Sequence, residues 1–345
     1  MSLKECESDI KHLKSESMLF ACEENSKENS ANYLNGKQPI KNVSNKILKN
    51  CQNVTATIEG NIKNSSDIAR KRWKILAKAL NKPAQASMED ISVRRFTTFD
   101  VIKSQPMIIN NINETATWHL YRYNQYTAIV RQPNKPLTPG ALIGFNNTGN
   151  ICVWPSEEAL AVFVLENLDI FDSTWVLELG GGLSCLAGLM LAKYGNLSGI
   201  CLTDGNPITV DNIRNIMSRN EINCFVKCSV LKWGEESKIC MPVERYKYDF
   251  ILCADCLFFD NIHTALLETI WYYLSSTGTA LIMAPDRNET LNWFIATAQQ
   301  FGFKCSLHQR YNSQIWQKHL ELKESSIYDE NIHYPKLLKL NKPDF

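Results

Sequence analysis

TWVLELGGGL, Thr174 to Leu183, is the stretch that decides the fold. Trp175 to Leu179 is a short apolar run of the length a buried strand takes, and it breaks into three consecutive glycines, Gly180, Gly181 and Gly182. Leu183 to Tyr194 (LSCLAGLMLAKY) then reads as a helix of good formers with Gly195 as its stop. Strand, glycine turn and helix bring backbone N–H groups and a surface free of Cβ atoms against a ligand, the close approach a nucleotide-like cofactor needs. A second strand, Gly199 to Thr203, ends in Asp204, at the distance where an acid reaches a ribose diol in βαβ folds.

Two cofactor chemistries share this layout. A dinucleotide fold wants G-x-G-x-x-G, with a third glycine at the helix start; here Gly182 is followed by Leu183, Ser184 and Cys185. An acid, Glu178, also sits two residues before the first glycine. A carboxylate there repels a pyrophosphate but suits the cationic methionine part of S-adenosylmethionine. The glycines alone are also compatible with a plain tight turn; Glu178 and Asp204 favour the methyl donor.

A chain of 345 residues holds one large domain or a domain with appendages, and 44% apolar residues suffice for a sizeable core. A net charge of +1 gives no global pull toward nucleic acid. The 12 cysteines are scattered and the first residues, MSLKECESDIKHLKSES, are polar. They read as reduced thiols of a cytoplasmic or nuclear protein. No apolar run reaches the ~18–20 residues needed to cross a bilayer. A monomer without a metal is expected.

Three regions follow: a tail (1–66), a helix with a small β annex (67–143) and the main domain (144–345). The tail is rich in Asn, Ser, Lys and Glu and shows no sustained period, so disorder or loose helix is expected. A helix is expected from Asp67 to Leu80, with Ile68, Trp73, Leu76 and Leu80 along one face. Arg70, Lys71, Arg72, Lys74 and Lys78 line much of the rest, either as a solvated face or as a docking surface for an acidic protein. From Ile91 to Arg131 the texture is β: SVRRFTTFDVI, ATWHLYRY and YTAIVRQ alternate, with Asn124-Gln125 as a tight connection.

The main domain alternates as a doubly wound α/β sheet does. A helix is expected from Ala159 to Asn167, introduced by Pro155. After the two strands at the glycine turn come a helix (207–220), strands at 225–230 and 248–254, and a helix (263–274). A strand (278–284), a helix (290–301), a strand (304–309), a helical segment (316–323) and a last strand (336–341) complete seven strands. Two adjacent late strands after a run of βα units fit a class I methyltransferase (Rossmann-like) sheet.

With those pieces placed, the chain resembles the seven-strand protein-lysine methyltransferases, and within them the calmodulin-lysine branch. The likeness runs from about Arg72 onward. It rests on SVRRF (92–96), GFNNTGNICVWPSEE (144–158), LELGGGLSCLAGLMLA (177–192), LTDGN (202–206), CADCLFFD (253–260) and NIHYP (331–335). The resemblance implies S-adenosylmethionine as methyl donor and a protein lysine as acceptor, with trimethylation of calmodulin, an acidic protein, as the reaction. It implies that Gly180, Gly181 and Gly182 hold the donor's methionine part with Glu178 beside its amino group. Asp204 accepts the ribose hydroxyls, with Gly205 and Asn206 around it. Trp154 places an aromatic ring against the donor, and Trp233, in Leu231-Lys-Trp, flanks the adenine; singly, either ring reads equally well as core. Lys232 stands where many relatives carry an acid.

The strand that ends at Ala254, a further donor neighbour, opens onto Asp255-Cys256-Leu257-Phe258, matching the family's D-x-x-(Y/F) element. Asp255 can orient an ammonium and the Phe258 ring can hold a cation on its face. The N/D-P-P-Y of amide and base methyltransferases is missing. Cys253 and Cys256 form a C-x-x-C with no second pair and read as coincidence rather than a metal site. Other readings are a lysine methyltransferase of the same branch acting on another protein, an NAD-dependent oxidoreductase, and a non-catalytic module that keeps the cofactor fold.

Overall fold

A computed structural model of the chain describes residues 98–108, 116–133, 149–240 and 244–343. The expected tail, the basic helix at 67–80 and SVRRF lie outside them.

The annex is a three-stranded antiparallel sheet of β1 (Lys103–Met107), β2 (Ala116–Tyr123) and β3 (Tyr126–Pro133). β2 and β3 form the expected hairpin, turned at Asn124, whose φ of 50 is one that asparagine tolerates. One expectation is corrected: Phe99–Ile102 are not strand. They are folded around a buried acid described below, and pairing begins only at Lys103, on an edge strand that accommodates Pro106.

The main domain then runs α1 (Pro155–Glu166), β4 (Trp175–Leu179), α2 (Leu186–Tyr194), β5 (Gly199–Asp204), α3 (Pro207–Met217), β6 (Val226–Val230), α4 (Glu235–Cys240) and β7 (Tyr248–Ala254). It continues with α5 (His263–Tyr273), β8 (Leu274–Ala284), α6 (Thr290–Gln300), β9 (Lys304–His308), α7 (Ser313–Leu322), α8 (Glu330–His333) and β10 (Lys336–Asn341). The strands make one sheet in the order β6-β5-β4-β7-β8-β10-β9. β4 to β8 are parallel, and β10 slips between β8 and β9, antiparallel to both. All seven expected strands are present. β8 starts four residues early, at Leu274, through a register irregularity between Tyr248 and Phe250.

Successive strand residues face opposite sides of the sheet, so two cores form. Val176, Leu202, Leu252 and Met283 meet α1, α2 and the annex, while Leu177, Leu179, Ile251 and Ile282 meet α5 and α6. With both faces covered, β5 (GICLTD) is buried at every position, which is why it reads as a run rather than an alternation. The same cover explains α1, buried from Pro155 to Leu165 between the sheet and the annex.

Among the described residues, the outer edge of β3 is closed by side chains rather than by a fourth strand. Tyr194 Oη accepts from the Thr127 N–H (2.7 Å) and donates to the Thr127 carbonyl (2.9 Å). Asn220 does the same for Ile129, accepting its N–H at 2.9 Å and donating to its carbonyl at 2.8 Å. Asn212 donates to the Arg131 carbonyl (3.2 Å) and accepts from its guanidinium (3.0 Å). Residues 127, 129 and 131 point their backbone groups the same way, so three side chains stand in for a strand.

Candidate active site

Strand order places a topological switch at β4, with β5 on one side and β7 on the other. The carboxyl ends of these strands, where open α/β sheets bind ligands, carry Gly180, Asp204 and Asp255.

The turn after β4 is possible only with glycine. Gly180 and Gly182 have φ of +60 and +56, and a Cβ on Gly181 would lie 2.0 Å from Cys185 Sγ. A Cβ on Gly180 would meet the Trp233 ring at 2.8 Å and Cys256 Sγ at 2.9 Å. Trp233 thus lies against the glycine turn, below the buried Leu231, whose N–H donates to the Asp204 carbonyl at 3.0 Å. Trp154 arrives from the other side: its Nε1 donates to the Gly149 carbonyl (3.2 Å), the same oxygen that would touch a Cβ on Gly182 at 3.0 Å. Lys232 points outward, 3.5 Å from Glu236.

The expected helix from Leu183 begins three residues late, at Leu186, because Cys185 is left-handed with φ 46. Two buried carboxylates satisfy its first turn. Glu157 Oε1 accepts from Leu186 N–H (3.0 Å) and Ser184 Oγ (2.7 Å), and Glu178 Oε2 accepts from Gly188 N–H (2.9 Å). Glu178, expected beside the donor's amino group, is 1% exposed and also serves as a cap of this helix. Burial pushes the Glu157 carboxyl up to about 7, and burial followed by the charge of Glu157 raises Glu178 well above its ordinary range.

Asp204 is buried at the end of β5. Oδ2 accepts from Gly182 N–H (3.1 Å) and Oδ1 from Asn206 N–H (2.8 Å), while Asn206 caps α3 through Ile208 N–H (2.9 Å). Burial raises its carboxyl to about 6, against the pull of these two donors. Each oxygen keeps a lone pair, so a diol beside the half-buried Gly205 finds an acceptor already oriented. The glycine turn, Asp204 and the Trp233 ring therefore fit a nucleoside carrying a charged, amino-acid-like tail.

Ala254 is half-buried beside the left-handed Asp255, whose φ is 59 and whose N–H donates to the Met283 carbonyl (2.9 Å). The Asp255 carboxylate meets Arg287: Nη2 donates to Oδ2 at 2.8 Å, and Nη1 lies 2.6 Å from Oδ1 as an ion contact off the hydrogen-bond axis. Phe258 is half-buried, its ring 4.4 Å from that of Phe259, and His263 Nε2 lies 2.9 Å from the Leu257 carbonyl, steadying the loop. Cys256 Sγ is 3.2 Å from the Ala254 carbonyl and 3.7 Å from that of Leu179. Among the described residues, no cluster of three or more His, Cys, Asp or Glu is placed to hold a metal ion.

Reasoning from the sequence missed Glu157, Glu158 and Arg287. The two glutamates lie inside WPSEE (154–158), where adjacent acids after a helix-starting proline are a weak sign of capping. Arg287 carried no signal, since its meaning depends on a partner 32 residues away.

Residues 144–301 match the family model described as lysine methyltransferase. The chain is 28% identical over 302 residues to calmodulin-lysine N-methyltransferase of Arabidopsis thaliana, covering 80% of this chain and 97% of that protein. It is 29% identical over 124 residues to electron transfer flavoprotein beta subunit lysine methyltransferase of Rattus norvegicus, 35% of this chain and 45% of that one. With protein N-lysine methyltransferase METTL21A of Danio rerio it shares 27% identity over 166 residues, 47% of this chain and 72% of that protein. Sheet order, glycine turn and these likenesses agree: the chain is an S-adenosylmethionine-dependent protein-lysine N-methyltransferase of the seven-strand class.

Proposed function

We propose that this enzyme trimethylates a lysine of calmodulin. The observation that carries this reading is the reach of the Arabidopsis likeness, which extends over 97% of that protein and so beyond the catalytic core. Substrate choice in such a fold belongs to the annex and loops rather than to the cofactor-binding turn.

The residues divide the work as follows. Gly180, Gly181 and Gly182 admit the donor's methionine part against bare backbone, Asp204 takes its ribose hydroxyls, and Trp233 and Trp154 border it. Bound there, S-adenosylmethionine supplies a sulfonium methyl: the lysine nitrogen's lone pair forms the new N–C bond while sulfur keeps the electrons of the broken C–S bond. Asp255 accepts an N–H of the lysine and aims its lone pair, and the Phe258 face accommodates the methylated, more cationic product. A free lysine loses its proton at a cost of about 4 kcal/mol at neutral pH. Burial lowers that cost and water carries the proton away, so no strong base is required.

An intact-mass assay tests the reading. Calmodulin made in bacteria, incubated with enzyme and donor, gains three methyl groups on one lysine, and Asp255→Ala abolishes the gain. No gain on calmodulin, with donor still bound in calorimetry, assigns the enzyme to another protein substrate.

A further inference from the structure

Arg287 lies in the turn between β8 and α6, where three successive residues, Arg287, Asn288 and Glu289, are left-handed with φ of 43, 60 and 72. Non-glycine residues resist this conformation, and a run of three persists only where surrounding bonds dictate it. Here those bonds lead to α8 and the NIHYP segment. Arg287 N–H donates to the Asn331 carbonyl (2.6 Å), its Nε to the Ile332 carbonyl (3.3 Å), and Asn331 Nδ2 to Asn288 Oδ1 (3.3 Å). The two remaining guanidinium nitrogens face Asp255, with the two side chains only 16% and 7% exposed. The strained turn thus delivers one guanidinium to the carboxylate at the end of β7.

The other charges near this pair sit elsewhere or are already matched. Glu157 senses Asp255 from α1, Cys256 senses it from the same loop, Asp286 faces Lys336 at 3.9 Å, and His333 Nδ1 accepts from Asp329 N–H. A free Asp255 would hold lysine as the ammonium ion, which has no lone pair to give. Paired, it still accepts a hydrogen bond but presents no net charge.

We propose that Arg287 is a positioning residue for the acceptor: it fixes Asp255 and cancels its charge, so that the site takes lysine as the free amine. This rests on the reading that Asp255 orients the acceptor. The R287Q variant leaves Asp255 unpaired and stabilises the ammonium. R287K keeps the charge but not the two-pronged grip, and D255N/R287Q again makes the pair neutral.

The experiment follows kcat at saturating calmodulin from pH 6 to 9.5 in wild type and these variants, because kcat reports the ionisation of the bound lysine, with donor binding by calorimetry as the check of fold. R287Q is expected to lower kcat at neutral pH by about tenfold and to move the rising limb of the profile up by about one pH unit. The double variant is expected to return the limb to its wild-type position. R287K leaves the limb in place with kcat reduced, and it decides the question if R287Q fails to bind donor. An R287Q limb at the wild-type position, a double-variant limb that stays displaced, or an R287K limb that moves overturns the proposal. D255N separates the two levels: wild-type kcat/KM in D255N overturns the reading of Asp255 itself, whereas a lowered but measurable kcat in D255N with an unmoved R287Q limb overturns only the role of Arg287.

Discussion

Glu157 and Glu178 end on the same helix turn, one on the N–H of Leu186 and the other on the N–H of Gly188. Both are buried, and both carboxyls are shifted up. The folded protein therefore holds protons here that the unfolded chain has released once the pH exceeds the ordinary glutamate range. The contribution is fully present below about pH 4.5 and is lost as pH rises through the folded value of Glu157, about 7. Thermal melts from pH 5 to 8 should show stability falling with pH. Glu157→Gln, still able to accept from Leu186 N–H, should flatten that slope and gain at most about 3 kcal/mol at pH 8. A wild-type stability that is flat or rises over that range contradicts the assignment.

Glu158 holds the entry to the annex. Its Oε2 accepts from Thr98 Oγ1 (2.7 Å) and Phe99 N–H (2.9 Å), and its Oε1 from the N–H groups of Val101 (2.9 Å) and Ile102 (3.0 Å). Glu158→Ala strands these donors against a buried helix and should cost about 3–5 kcal/mol. Hydrogen exchange should rise first at residues 99–102, ahead of the main sheet. Uniform exchange across both would mean that the segment is held by other contacts, such as the edge packing of Phe99 on Tyr328 and Tyr334.

Two glycines that look alike in the sequence should part under substitution. A Cβ on Gly181 meets Cys185 Sγ at 2.0 Å, whereas a Cβ on Gly149 meets nothing within 4 Å. Gly181→Ala should therefore shift the turn, cost about 1–3 kcal/mol and weaken donor binding by about a hundredfold. Gly149→Ala should stay within about 0.5 kcal/mol of wild type with donor affinity retained. Calorimetry with S-adenosylhomocysteine reads the affinities and chemical denaturation the stabilities.

The side-chain edge of β3 offers a fourth test. Asn220→Ala removes both partners of Ile129 and should cost about 2 kcal/mol, with the Ile129 amide exchanging faster while β4 and β5 stay protected. Exchange at Ile129 equal to wild type would show that water replaces the asparagine without loss.

Much of this was legible in the chain because the relevant physics is local. The seven strands are runs bounded by turn residues, and Gly180 to Gly182 mark a turn whatever surrounds them. What escaped depends on distant partners. The late start of α2 follows from Cys185 turning left-handed beneath two acids from other elements. Phe99 to Ile102 alternate like a strand, yet Glu158 wins the N–H groups of Phe99, Val101 and Ile102. The Asp255–Arg287 pair joins two loops that no pattern connects. Short helices α4 and α8 fell below the length at which periodicity speaks.

The side chains that complete β3 also tie the annex to the methyl-donor turn. Tyr194, Asn212 and Asn220 belong to the catalytic domain, and Asn212 donates in addition to the carbonyl of Leu183, the residue that leaves the glycine turn. An annex transplanted from a relative would bring its strands but not these three fittings, and a mismatch would reach the methyl-donor turn through a single asparagine. Chimeras should therefore exchange the annex together with positions 194, 212 and 220, as one part.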